Sequence, residues 1–351
     1  MTPLPADPAG SPAAASGRKR PVRLFTRSAA IRLAVLLLGP ILAYAVWSPG
    51  VETTGGRFDR GRNGLWLAHG WLGGPDWFVL NDKPREQYHS PEALERLART
   101  CRDNGITMVY PHLCPATSTG ALPDVDAGRI APLAAALPGV SILPWVGGVF
   151  QRDCVLDSAR WRDAFASNVA NLLTRHPELG GIHLNIEPMP DGNADFLVLL
   201  EELKRRLPAG RRLSVAAYPP PTRWQPRPEV HWSEGYFREV ARRTDQVVPM
   251  MYDTSIRLPK AYVSVMRRWT REVVEWAGPT EILLGVPAYE DAGVGYHDPR
   301  VESLGHALSG INAGLTDLGP STGGFAGIAV YADWTTTETE WAAFRRQFRA
   351  R

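Results

Sequence analysis

Glu187 closes the stretch Gly181-Ile182-His183-Leu184-Asn185-Ile186-Glu187, in which apolar and polar side chains alternate. A period of two is that of a β-strand, so His183, Asn185 and Glu187 share one face and Ile182, Leu184 and Ile186 the other. Burying three polar side chains along one strand face is costly unless each finds a partner. Pro188 follows at once and cannot donate to a sheet ladder, so the strand stops at the carboxylate. A carboxylate at the mouth end of such a strand is where a (β/α) barrel carries its catalytic acid, and the chemistry it indicates is proton transfer. A buried polar ladder with no chemistry is the plain alternative.

The elements that must position these residues are legible as an alternation. Strand patterns run over Gly64–His69, Ile106–His112, Val140–Val146, Gly181–Glu187, Arg212–Tyr218, Gln246–Tyr252, Glu281–Ala288 and Phe325–Tyr331. Helix patterns lie between them, at Pro91–Asp103, Ser158–His176, Asn193–Leu207, Glu234–Arg243, Lys260–Ala277 and Val301–Leu315, and Glu338–Arg349 closes the chain. Eight strands, each followed by a helix-sized segment, predict an α/β fold with a parallel sheet closed as a (β/α)8 TIM barrel over 63–351. The second unit is the weakest, because Asp124–Leu137 makes a poor helix. A doubly wound open sheet is the alternative, but it needs a glycine-rich phosphate turn after its first strand. Here that turn reads His69-Gly70-Trp71-Leu72-Gly73-Gly74 and runs into Pro75. No nucleotide loop, sequence repeat or second domain is read.

In a barrel the strand ends and following loops form the mouth. These positions hold Trp71, Asp76 and Trp77, then Tyr110 and His112, Trp145-Val146-Gly147-Gly148, and Glu187. Further along come Tyr218 with Trp224, His231 and Trp232, then Met250-Met251-Tyr252-Asp253, Tyr289-Glu290-Asp291 and Tyr331-Ala332-Asp333-Trp334. Sugars have apolar ring faces and hydroxyl edges, so aromatic platforms rimmed by carboxylates and amides suit them. Trp161, Trp269, Trp276 and Trp341 fall on helices and read as packing.

Residues 1–28 form a basic segment, rich in Pro, Ala and Gly, expected to be disordered and cytoplasmic. Residues 29–47 carry the apolar run Leu33–Trp47, broken by Gly39-Pro40, and read either as a signal peptide or as a membrane anchor. Either reading places the remainder outside the cytoplasm. Residues 48–62 read as a linker. The net charge of +3 is misleading: residues 1–49 hold six Lys/Arg against one acid, +5, which leaves −2 on the rest. The folded part therefore has no basic excess for nucleic acid. Cys101, Cys114 and Cys154 show no metal-binding spacing; free thiols, or a Cys114–Cys154 bridge with one left over, are the two readings.

At these residues the chain resembles glycoside hydrolase family 18, the chitinase-like barrels, over roughly residues 63–351. The family's D-G-x-D-x-D-x-E strand stands here as Gly180-Gly181-Ile182-His183-Leu184-Asn185-Ile186-Glu187, keeping the glutamate and replacing the three aspartates. Trp145-Val146-Gly147-Gly148 resembles its S-x-G-G pattern, Leu213-Ser214-Val215-Ala216 its fifth strand, and Met250-Met251-Tyr252-Asp253 its M-x-Y-D. Leu284-Gly285-Val286-Pro287-Ala288-Tyr289 is similar to L-G-x-P-x-Y, and Tyr331 stands where the family usually has tryptophan. The resemblance implies a retaining glycosidase in which the substrate's own acetamide attacks the anomeric carbon, an exception to the two-carboxylate scheme. It implies Glu187 as acid/base, Asn185 orienting the acetamide, and Tyr252 and Asp253 holding the reacting sugar. His183, Trp71, Trp145, Tyr218, Met250, Tyr289, Glu290, Tyr331 and Trp334 are the expected substrate-binding residues. The partner expected is a polysaccharide or oligosaccharide, and no metal or organic cofactor is implied. Two alternatives stand beside it: a two-carboxylate glycosidase with Glu290 as nucleophile, and a barrel that binds glycan without cleaving it.

Overall fold

The computed structural model describes residues 27–349 apart from 54–55, 124, 224, 291–292, 294 and 321, and apart from the side chains of 27–31 and 33. Most of the expected basic segment 1–28 lies outside the described residues. Two compact units meet in sequence between Trp47 and Ser48. The first contains helix α1, Arg27–Val46, with Pro40 inside it. Among the described residues no helix is long and apolar enough to cross a membrane. The expected anchor is therefore not supported: Arg32 and Gly39-Pro40 cut the apolar run well below the roughly 20 residues of a span.

The second unit is built on parallel strands β1 (Asn63–Leu67), β2 (Ile106–Pro111), β3 (Ser141–Ile142), β4 (Trp145–Val149), β5 (Gly181–Glu187), β6 (Arg212–Ala217), β7 (Gln246–Pro249), β8 (Glu281–Pro287) and β9 (Phe325–Tyr331). Their order in the sheet is β3-β2-β1-β9-β8-β7-β6-β5-β4. The two ends of that order, β3 and β4, are successive pieces of one strand interrupted at Leu143-Pro144, where proline has no N–H to give. Both neighbours stay paired across the break. Leu143 N–H donates to Val109 O at 2.9 Å, Leu113 N–H to Trp145 O at 2.7 Å, and His183 N–H to Pro144 O at 2.9 Å. The sheet thus curls back onto itself as an eight-stranded barrel, the third strand being both first and last.

Helices cover the outside: α2 (Pro75–Leu80), α3 (Glu86–His89), α4 (Pro91–Asn104), α5 (Ala127–Ala136), α6 (Ala159–Arg175), α7 (Ala194–Arg206), α8 (Glu234–Arg242), α9 (Pro259–Ala277), α10 (Leu304–Leu318) and α11 (Glu338–Gln347). Their starts follow from the sequence. Ser90, Ser158, Asn193, Ser233 and Ser303 each accept a backbone N–H three residues on, and Thr337 with Glu340 forms a full capping box. The weak second unit forms α5 despite Pro132, capped by Asp126.

The main core lies between sheet and helices. A second apolar cluster fills the barrel itself, with Trp66, Met108, Tyr110, Leu143, Val248, Leu283, Ala326, Ala329 and Ala332. It encloses a directional polar relay. Trp66 Nε1–H donates to His183 Nε2 at 3.2 Å, which leaves the His183 proton on Nδ1, 2.8 Å from Ser214 Oγ. The Ser214 and Tyr110 hydroxyls both donate to Gln246 Oε1, at 2.6 and 2.9 Å, and Gln246 Nε2–H donates to Glu281 at 2.6 Å. Each side chain along this relay has a partner, which meets the cost that the strand pattern raised.

Candidate active site

Glu187 stands at the C-terminal end of β5, at the mouth. Asn185, one strand period below it, donates Nδ2–H to Glu187 Oε1 at 2.5 Å. Asn185 can sit there because β4 comes very close. Gly147 pairs with Asn185, and a Cβ on Gly147 would fall 1.9 Å from the Asn185 carbonyl oxygen. Its φ of +136° also suits glycine.

A hollow of about 410 Å3, within the range of ligand pockets, opens above this pair. Its wall includes Asn185, Glu187, Trp145, Met250, Tyr252, Asp253, Tyr289, Tyr331 and Trp334. Tyr331 is the hub. It lies parallel to Tyr252 at 5.6 Å, and meets Trp66, Tyr289 and Trp334 edge-on at 5.7, 5.6 and 5.4 Å. These contacts fix the ring planes before any ligand arrives. Trp334 is 46% exposed at the rim. The cleft continues past Glu187 to Tyr218, Gln225, Arg227 and His231 on one side, and to His112, Cys114 and Arg152 on the other.

Solvent reaches the Glu187 carboxyl through the cleft, yet protein surrounds it on its other sides. That burial raises its pKa above the ordinary carboxylate value; the Asn185 hydrogen bond opposes the rise and the Asp253 charge adds to it. The buried Tyr218 hydroxyl lies near enough to oppose the rise as well. Burial pushes Tyr252 and Tyr331 upward, so both remain protonated donors.

Asp253 has a left-handed backbone, φ +60°, and accepts the Tyr289 hydroxyl. Behind it stand His297 and Glu302, the one His/Cys/Asp/Glu group among the described residues whose ligand atoms converge, all within 4.8 Å of one another.

Three expected contacts are corrected. His183 is fully buried in the polar relay beneath the floor, and burial lowers its pKa to about 3, so it is a neutral structural group. Trp71 is buried too, its Nε1–H given to Asp333 Oδ2 at 2.7 Å, and it ties the loop after β1 to the end of β9. Glu290 is exposed and is not among the residues lining the cleft. Trp224 and Asp291 lie outside the described residues. Cys101, Cys114 and Cys154 are free. Gln225, Arg227 and Tyr296 line the cleft without having been singled out. Only Tyr296 left a signal, as one more aromatic in the loop after the seventh expected strand.

No protein-family profile matches the chain, and no curated protein matches it in sequence. Solved structures do match in fold. The spore cortex-lytic enzyme SleL of Bacillus cereus aligns over 86% of this chain and 76% of its own, with a TM-score of 0.53 and 14% identity. A chitinase of Chromobacterium violaceum aligns over 83% and 99%, with a TM-score of 0.57 and 17% identity. A chitinase of Bacteroides thetaiotaomicron aligns over 82% and 96%, with a TM-score of 0.52 and 12% identity. The chain shares the chitinase-like barrel fold of these proteins.

Proposed function

We propose that this protein is a retaining glycosidase that hydrolyses an N-acetylated amino-sugar glycan with the help of the substrate's own acetamide. The observation that carries this reading is the Asn185–Glu187 pair, hydrogen-bonded at the base of an aromatic hollow. Glu187, with its proton on the oxygen not held by Asn185, protonates the glycosidic oxygen as the bond to the anomeric carbon breaks. The acetamide carbonyl oxygen attacks that carbon, giving a cyclic oxazolinium. Asn185 spends its Nδ2–H on Glu187, which leaves Oδ1 to accept the acetamide N–H and turn the carbonyl inward. Water then adds to the anomeric carbon from the leaving-group side and gives its proton to Glu187, so configuration is retained. The Tyr252 and Tyr331 rings offer the sugar an apolar floor, and Asp253 and Tyr289 its hydroxyl partners.

The names of the neighbours, chitinases and cortex-lytic enzymes, support a polysaccharide substrate. The two-carboxylate alternative finds less support, because Glu290 stands off the cleft wall. Action outside the cytoplasm belongs to the same proposal, with the basic stretch before Leu33–Trp47 as an export signal; a cytoplasmic product in cell fractionation would refute it.

Matched oligosaccharides that differ only in carrying N-acetyl groups or free amines test the reaction. Cleavage confined to the acetylated member is expected. Equal cleavage of both would exclude acetamide participation.

A further inference from the structure

We propose that His297 is a buried imidazolium that clamps Asp253 to the cleft wall, with Glu302 as its second anionic partner. The clamp serves the glycosidase reading above, but its protonation can be tested without turnover. Geometry fixes the first proton. His297 Nε2 lies 3.1 Å from the Tyr289 carbonyl oxygen, which can only accept, so Nε2 carries hydrogen. Nδ1 then faces two carboxylates, 3.3 Å from Asp253 Oδ1 and 3.8 Å from Glu302 Oε2, and has no aligned partner of its own. A neutral ring would point its lone pair at both acids in a place that water does not reach, since His297 is 1% exposed. A second proton on Nδ1 turns that repulsion into attraction on both sides.

The surroundings hold the ring for this role. It stacks on Tyr289 at 4.0 Å and 17°, and the hydroxyl of that same tyrosine binds Asp253. Glu302, fully buried ahead of α10, accepts the Thr254 N–H and hydroxyl at 3.1 Å. The two acids of the clamp therefore fix consecutive residues, 253 and 254, where the backbone takes its left-handed turn into the cleft.

The titratable groups facing the ring are Asp253 after β7, Glu302 before α10 and Tyr289 after β8. Tyr262 on α9 feels both acids from behind and gives its own hydroxyl to Met251 O. Asp298, next in sequence, turns away to Arg300 at 3.1 Å and Arg257 at 3.7 Å. Burial alone would lower the His297 pKa, but Asp253 and Glu302 outweigh it and raise it. Burial lifts Glu302 to about 7, so its negative charge is lost as pH falls through that value. The His297–Asp253 pair is therefore present below the raised His297 pKa and is lost as pH rises through it, while Glu302 adds its charge only as pH rises through about 7.

A proton fits this gap better than a metal. The Glu302 oxygens are already engaged by the Thr254 N–H and hydroxyl, so a cation would have to compete with Thr254 for them.

The test uses the full chain. Nitrogen-15 NMR of the imidazoles, assigned by the loss of one signal in His297→Gln, is expected to show His297 doubly protonated at pH 7. Glu302→Gln, which keeps an oxygen for Thr254, is expected to lower the His297 pKa and covers the case of a His297 variant that fails to fold. With a cleaved glycan in hand, His297→Gln is expected to raise KM about tenfold, through the loss of the close ion pair that holds Asp253. The change in kcat should stay within about threefold, and the wild-type rise of KM at alkaline pH should vanish. A neutral His297 at pH 7, or one stoichiometric divalent ion in the purified protein whose chelation changes the His297 signal, would overturn the proposal. Should no glycan be cleaved, the glycosidase reading fails while the NMR arm still decides the clamp.

Discussion

Asn185→Asp puts back the acid that chitinase-like barrels carry two residues before their glutamate, and its consequence can be worked out. In this chain Asn185 donates to Glu187 Oε1 at 2.5 Å and so holds the Glu187 pKa down against burial. Aspartate removes that donor and sets a negative charge beside Glu187. Two unit charges 4 Å apart interact by about 4 kcal/mol at an effective dielectric of 20, equivalent to about three pKa units. Solvent enters the cleft and screens the pair, which titrates in two coupled steps, so the realised rise of the upper step is smaller, about 1–2 units. Glu187 must be protonated to act as an acid, so the alkaline limb of kcat/KM should move up by about 1–2 pH units. The assay is the pH profile of hydrolysis of one N-acetylated oligosaccharide by the two proteins. Carbon-13 titration of the glutamate carboxyls provides a check that does not depend on turnover. An alkaline limb that stays in place or moves down would refute the reasoning.

Other consequences are as specific. Gly147→Ala drives a Cβ toward the Asn185 carbonyl oxygen at a φ that suits glycine, so it should lower Tm by about 3–10 °C and cut turnover; calorimetry and activity check it together. Tyr331→Ala removes the ring against which Trp66, Tyr252, Tyr289 and Trp334 pack, and glycan affinity measured calorimetrically in a Glu187→Gln background should fall about tenfold. Burial raises Asp333 from 3.8 to about 7, against hydrogen bonds from Trp71 and Ala68. The folded state therefore keeps a proton that the unfolded chain releases, and Asp333's contribution to stability is largest below about pH 4 and declines as pH rises toward 7. Denaturant midpoints across that window should fall less steeply with pH in Asp333→Asn than in the wild type.

The barrel could be read before it was seen because both of its periods are written in the chain. Gly181–Glu187 shows the point: alternation alone placed Asn185 and Glu187 on one face, and they are found hydrogen-bonded. Alternation could not say how deep each residue of that face lies. His183 shares the face but sits two residues below Asn185, where Trp66 and Ser214 take both ring nitrogens, so it belongs to the barrel filling. Trp71 misled for a related reason, since a tryptophan after a strand has the same signature whether its indole faces ligand or, as here, Asp333. The break in the third strand leaves no mark on its apolar pattern, because Pro144 withholds only an N–H while its carbonyl still accepts from His183. His297 and Glu302 carried no local pattern, because their meeting with Asp253 and Thr254 joins loops far apart in sequence.

Turnover of one N-acetylated oligosaccharide by the wild-type protein and by Glu187→Gln, followed by proton NMR of the sugar first released, tests the central claim most directly. The account predicts hydrolysis with the anomeric configuration retained, and a rate lower by about 100-fold or more in the variant with binding intact. An inverted product, or undiminished turnover without the Glu187 carboxyl, would contradict it.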